Sequence, residues 1–223
     1  MDPTRIALTA AAAAFCFFAL ESGWGWDQAA GLWSDPLRLL ASLGFFVFLF
    51  GFGLSRMQLN PKGRQALWQL LFFLANLVVF PMMLLMSGRM ARHHETYGFW
   101  IVSTPWAAIL GLTLEAGGVG IMLWSINTLG RWFSPKITVQ QGHRLIQSGP
   151  YRFVRHPFYT GLLLFLSGFP LAFGSLMGCF LAACYLPAVL LRISNEERLL
   201  AEAFKNEFPA YRQRTRLLIP FIL

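Results

Sequence analysis

Charge is scarce in this chain: Asp, Glu, Lys and Arg together make up 13% of its 223 residues, against about 25% in an ordinary soluble domain. Acidic residues are rarer still, ten against eighteen basic ones, for a formal net charge of +8. Cysteine occurs three times, as Cys16, Cys179 and Cys184. All three fall in apolar stretches, which argues against a disulfide framework or a thiolate metal site and for small buried hydrophobes. No GxGxxG, P-loop, zinc-protease or serine-nucleophile pattern is present, and no basic-aromatic motif of a nucleic-acid-binding fold. In His93-His94-Glu95 the two adjacent histidines would point differently on a helix and no third ligand is evident, so no metal is assigned.

What fills the chain instead is hydrophobic residues, 56% of the total. This composition implies an all-α, polytopic integral membrane protein. Four apolar stretches, Ile6–Leu20, Pro36–Leu54, Leu67–Met86 and Pro105–Leu129, approach the roughly 20 residues that a helix needs to cross the hydrocarbon. A fifth, Phe158–Leu191, contains Gly168, Pro170 and Gly174 and reads as a tight helical hairpin, because such residues turn a chain with few unpaired polar groups. The expectation is five to six transmembrane helices followed by a cytosolic C-terminal region.

The connecting segments suggest an orientation. Residues 21–35 hold Glu21, Asp27 and Asp35 without a basic residue, whereas 55–66, 130–157 and the tail beyond 191 are rich in Lys and Arg. Basic loops stay in the cytoplasm, so both termini and the segment 130–157 are expected there, at the inner membrane if the source is bacterial. The same asymmetry accounts for the net charge through attraction to anionic headgroups.

Polar chemistry concentrates in two clusters. The first, Leu129–Gly161, has glycines and prolines at 142, 149, 150 and 157 that break any continuous helix and free backbone amides for a polar ligand. Arginine and tyrosine here can serve merely as interfacial anchors. His156 directly precedes Pro157 and is held in a restricted geometry, which favours function for it and for Tyr159. The second cluster, Arg192–Pro220, sets Arg192 before Glu196 and Glu197 at the end of an apolar run, where charges are costly unless they pair or bind something. Ser194 and Glu197 have the spacing of a capping box and predict a fresh helix start. Leu200, Phe204 and Phe208 would share one face of that helix, with Pro209 stopping it. Glu115, inside an apolar helix, is a further candidate on grounds of location alone.

The string GHRLIQSGPYRFVRHPFYTG (Gly142–Gly161), followed by Arg192-x-x-x-Glu196-Glu197, Leu200, Phe204, Tyr211 and RTRLLIP, resembles the isoprenylcysteine carboxyl methyltransferase family over about residues 123–223. The resemblance implies S-adenosyl-L-methionine as cofactor. It places His143, Leu145, Gly149, Pro150, Tyr151, His156, Tyr159, Gly161 and Glu196 around that cofactor, and Arg192 and Glu197 nearest the methyl-transfer site. Arg155 would order the loop or touch the cofactor carboxylate. The distribution of polar residues divides the chain into a transmembrane scaffold, residues 1–104, and a segment, residues 105–223, that holds most of the unusual polar chemistry and, with the resemblance, is expected to be the methyltransferase core. The acceptor would be a membrane lipid or small hydrophobic molecule, with carboxyl O-methylation as the first reading and no nucleic acid or obligate protein partner. Amine N-methylation, small-thiol S-methylation, an NADPH-dependent membrane reductase and a nonenzymatic membrane protein remain open alternatives.

Overall fold

The computed structural model describes residues 3–25, 29–54, 79–133 apart from 94, 97, 99, 100 and 103, and 144–219. Its elements are helices, with two isolated backbone bridges among the described residues. In chain order they are α1 (Pro3–Trp24), α2 (Ala29–Ser34), α3 (Pro36–Leu54), α4 (residues 79–92), α5 (Pro105–Leu129), α6 (Pro157–Ala172), α7 (Leu176–Cys184), α8 (Leu186–Ala203) and α9 (Phe208–Arg214). Short 3-10 turns lie at Gly130–Trp132 and Gly149–Arg152.

Helix starts follow local chemistry. Thr104 caps α5 by accepting from the Ala107 amide at 3.2 Å, and Pro105 occupies the first turn, where its missing N–H is not needed. Ser175 caps α7 in the same manner through the Gly178 amide at 3.0 Å.

The central feature is the antiparallel pair α5–α6. A Cβ on Gly118 would meet the Gly161 carbonyl at 2.5 Å, and one on Gly161 would meet the Gly118 carbonyl at 2.5 Å and the Met122 side chain at 2.8 Å. Gly111 and Gly168 make a second backbone contact two turns along. Small residues let helix backbones approach where no hydrophobic effect separates protein from lipid. Against this pair, α3 lays Phe45, whose ring stacks on Phe165 at 5.7 Å and leans on Phe169 at 5.0 Å. The antiparallel course puts the C-terminal end of α5 beside the N-terminal end of α6, and the polar loop between them lies at that end.

The structure changes the expected membrane topology. Two helical stretches among the described residues, Pro105–Trp132 and Leu176–Ala203, each 28 residues, are long and apolar enough to cross a membrane. The five to six transmembrane helices expected from hydropathy are not found among the described residues. The apolar helical stretches Thr9–Trp24, Pro36–Phe46 and Pro157–Ala172 are shorter, below the roughly 20 residues a perpendicular crossing requires. Of Leu67–Met86, residues 67–78 lie outside the described residues. Hydropathy located the apolar segments but overstated how many have the length to span.

The apolar region Phe158–Leu191 does reverse, at residues 173–175, where Gly174 has φ +70°, a conformation in which a side chain is strained. Gly168 and Pro170 instead lie inside α6. Glu21, expected as a loop charge, is in the last turns of α1, 1% exposed, and accepts from Trp33 Nε1 at 2.7 Å. Ser194 does not start a helix, because α8 begins with Pro187 in its first turn and runs unbroken to Ala203. Nor does Pro209 end one: the chain leaves α8 at Phe204, and Pro209 sits in the first turn of α9, where proline is tolerated. Leu200, Phe204 and Phe208 therefore do not share a single helix.

Candidate functional site

Four segments meet at the loop end of the α5–α6 pair: the 3-10 turn Gly149–Arg152, the first turn of α6, the polar half of α8, and α9 with the extended tail behind it. Gly149 adopts φ +58°, and a Cβ there would meet the Thr128 hydroxyl at 2.8 Å and come within 3.3 Å of Trp124 Nε1. A side chain is excluded on both counts, so the turn is pressed onto the end of α5. Pro150 and Tyr151 are buried beneath it. Tyr211 of α9 donates its hydroxyl proton to the Tyr151 carbonyl at 2.8 Å, fixing the turn from the opposite side. Burial raises the pKa of both phenols above the ordinary value, with Tyr211 and Glu196 adding to the effect at Tyr151. Both hydroxyls therefore remain protonated hydrogen-bonding groups.

Two charge networks adjoin. In the first, Arg192 Nε donates to the Tyr159 hydroxyl at 2.6 Å, and Tyr159 donates in turn to Glu196 Oε1 at 2.5 Å. Arg192 Nε and Glu196 Oε1 are also 3.3 Å apart, one helical turn along α8. In the second, Arg155 Nε donates to Glu197 Oε1 at 2.5 Å, while Arg155 Nη1 donates to the carbonyls of Thr215 at 2.6 Å and Arg212 at 3.2 Å. His156 lies between the two. Its Nδ1 is 3.8 Å from Glu196 Oε2 and its Nε2 3.4 Å from Glu197 Oε1. The second approach lacks hydrogen-bond geometry, and Nε2 is a buried nitrogen without a hydrogen-bond partner.

The charged side chains are largely covered, at 8% exposure for Arg155, 12% for Arg192, 14% for Glu197 and 23% for Glu196. Such groups are costly to bury and are held by partners on every side. The paired carboxylates beside aromatic faces suit a ligand with a cationic centre and hydroxyl or amino groups.

The cluster unites Gly149, Pro150, Tyr151, His156, Tyr159, Arg192, Glu196 and Glu197. The pairing differs from a simple reading of Arg192-x-x-x-Glu196-Glu197: Arg192 engages Glu196, and Glu197 belongs to Arg155. Leu145 is half-buried in the irregular segment that leads to the turn. His143 lies outside the described residues. Gly161 is in the α5–α6 seam, against Gly118 and Met122, rather than in the cluster. Glu115, 3% exposed, is likewise in that helical interior, near Gly44 of α3. Arg212, Thr215 and Thr160 joined the cluster without having been singled out. The signal that could have found Thr160 is its position one helical turn after His156.

Residues 112–202 match the model of the isoprenylcysteine carboxyl methyltransferase (ICMT) family. Over this segment the chain is similar to that family. It is 30% identical over 125 residues to protein-S-isoprenylcysteine O-methyltransferase B of Arabidopsis thaliana, covering 52% of this chain and 61% of that protein. It is 37% identical over 121 residues to the cobalt-zinc-cadmium resistance protein CzcN of Cupriavidus metallidurans, covering 52% of this chain and 51% of the relative. Methanethiol S-methyltransferase of a Pseudomonas species is 28% identical over 131 residues, 54% of this chain and 49% of that one. The match thus spans about half to three fifths of these relatives' length. The solved structure of a eukaryotic intramembrane Ras methyltransferase, ICMT, superposes with a TM-score of 0.49 at 23% identity, over 83% of this chain and 74% of its own. The two long apolar helices fit a membrane-associated protein.

Proposed function

We propose that this ICMT-like chain is an S-adenosylmethionine-dependent methyltransferase acting on a hydrophobic or lipid-linked acceptor, with carboxyl O-methylation as its reaction. Residues 105–223 form the methyltransferase core, and 1–104 its membrane scaffold. The observation that carries the reading is the meeting of the Arg192–Tyr159–Glu196 and Arg155–His156–Glu197 networks at the end of α6 and α8, within the segment that matches the family.

The residues fit the cofactor. The unpartnered His156 Nε2 and the carboxylate of Glu196 offer polar contacts to ribose and amino groups, and Tyr151 and Tyr159 offer aromatic faces. With Gly149, Pro150, Leu145 and His143 they are assigned to hold it. When bound, S-adenosylmethionine supplies a methyl group already activated on a sulfonium sulfur. The protein's task is then to hold an acceptor in line and keep water away. Arg192, fixed by Tyr159 and Glu196, presents a planar donor array that can orient a carboxylate acceptor. A carboxylate needs no deprotonation before it is methylated. A thiol or amine must lose a proton, and Glu197, held by Arg155, is placed to accept or orient it. Similarity to the methanethiol S-methyltransferase favours the thiol as the second reading.

The deciding experiment is calorimetry of detergent-purified protein with S-adenosylhomocysteine, using His156→Ala and an NADPH titration in parallel. Saturable binding lost in His156→Ala supports the assignment. Binding of NADPH alone moves it to a reductase. Labelled methyl transfer then separates acceptors, since an ester is base-labile whereas an N-methyl group and a thioether are not.

A further inference from the structure

The tail after α9 lies against the site loop. The Arg155 amide donates to the Arg216 carbonyl at 2.8 Å, the His156 amide to Leu217 at 3.1 Å, and the Arg216 amide back to Phe153 at 3.2 Å. These bonds form the parallel bridge between Val154 and Arg216. Among the described residues, the backbone pairing of Arg216 and Leu217 goes to residues 153–156.

One side chain closes this arrangement from the other direction. Thr160 Oγ1 lies 2.6 Å from the Leu218 carbonyl and 3.3 Å from the His156 carbonyl. A hydroxyl has a single proton to donate, and the shorter, long-range contact takes it. Thr160 stands one turn after His156 on the same face of α6. Leu218, 6% exposed, turns its side chain into the core shared with Tyr159.

We propose that the segment Thr215–Leu218 is a strap that positions Arg155 and His156, and that Thr160 is the positioning residue that latches it. The strap grips Arg155 twice. Its backbone holds the Arg155 amide, and the Thr215 carbonyl, with that of Arg212, receives the Arg155 guanidinium. The remaining edge of that guanidinium engages Glu197. A displaced tail therefore releases Glu197 and His156 together, although neither touches Thr160 through its side chain. The functional consequence rests on the cofactor assignment made above, while the latch itself does not.

The test compares wild type, Thr160→Val and Thr160→Ser. Valine keeps the β-branched shape and removes the donor; serine keeps the donor and removes the methyl group. Hydrogen exchange resolved to single amides is expected to quicken at Arg155, His156 and Arg216 in Thr160→Val, stay unchanged in the middle of α5, and return to wild-type rates in Thr160→Ser. Affinity for S-adenosylhomocysteine is expected to fall about three- to tenfold in Thr160→Val, the range of one lost hydrogen bond, and to recover in Thr160→Ser. Unchanged exchange in Thr160→Val overturns the latch. Quickened exchange with unchanged affinity overturns the positioning role, and a serine variant as impaired as valine overturns the latch, because the retained donor then fails to restore it. A wild-type protein that binds no S-adenosylhomocysteine sinks the methyltransferase reading instead, and the exchange rates still decide the latch.

Discussion

The Tyr159 hydroxyl accepts from Arg192 Nε at 2.6 Å and donates to Glu196 Oε1 at 2.5 Å, so one phenol on α6 joins a cation and an anion that are already neighbours on α8. The direct Arg192–Glu196 approach is longer, 3.3 Å. The phenol thus sets the orientation of both groups relative to α6.

Tyr159→Phe separates that function from ring packing. The phenylalanine variant keeps the buried ring and removes both hydrogen bonds. Turnover is expected to fall about tenfold or more, the effect of one or two hydrogen bonds to charged groups, with the protein still folded by thermal unfolding. Wild-type turnover in Tyr159→Phe would confine Tyr159 to packing.

Arg192→Lys tests whether a planar donor array is needed. Lysine preserves the charge, yet its ammonium cannot span Tyr159, Glu196 and an acceptor as a guanidinium does. A loss of about tenfold in kcat, with affinity for S-adenosylhomocysteine retained, is the expected split. Equal kcat in the two proteins would show that charge alone suffices at this position.

Some of this architecture was legible in the chain and some was not, for physical reasons. The bounds of α3 and α5 follow from a proline in each first turn and a continuous apolar run, both local signals. The membrane count failed because hydropathy reports apolarity without saying how many residues remain in one straight helix. Ser194 misled because its spacing to Glu197 satisfies a capping rule, while the stronger start signal, Pro187, lies seven residues earlier. In the site, the residue types were visible but their partners were not. Helical spacing joins Arg192 to Glu196, whereas Glu197 faces Arg155, 42 residues away. No local pattern encodes the pairing of residues 153–156 with Arg216 and Leu217.

Arg155 and Glu197 form a covered ion pair, and removing one partner strands the other. Arg155→Ala is expected to lower stability by about 3 kcal/mol, as for a broken buried pair. It also leaves the Thr215 and Arg212 carbonyls without their donor. The double variant Arg155→Ala with Glu197→Ala should recover part of the loss, because no uncompensated carboxylate remains. Thermal unfolding of the three variants measures this, and strictly additive losses would show that the two side chains do not interact.

Gly161 distinguishes a cofactor contact from a helix contact. Motif resemblance assigns it to the cofactor, but its missing side chain is what lets α6 approach the Gly118 carbonyl and Met122. A Cβ would have to displace backbone, a change that small-to-large substitutions in packed interiors make at about 1–3 kcal/mol. Gly161→Ala and Gly118→Ala should therefore lower the unfolding midpoint alike, since each inserts a methyl group into the same seam from opposite sides. In the folded fraction of Gly161→Ala, affinity for S-adenosylhomocysteine should stay within about twofold of wild type, because that loss belongs to packing rather than to ligand contact. A Gly161→Ala protein of unaltered stability and sharply weaker affinity would instead put Gly161 in the cofactor pocket.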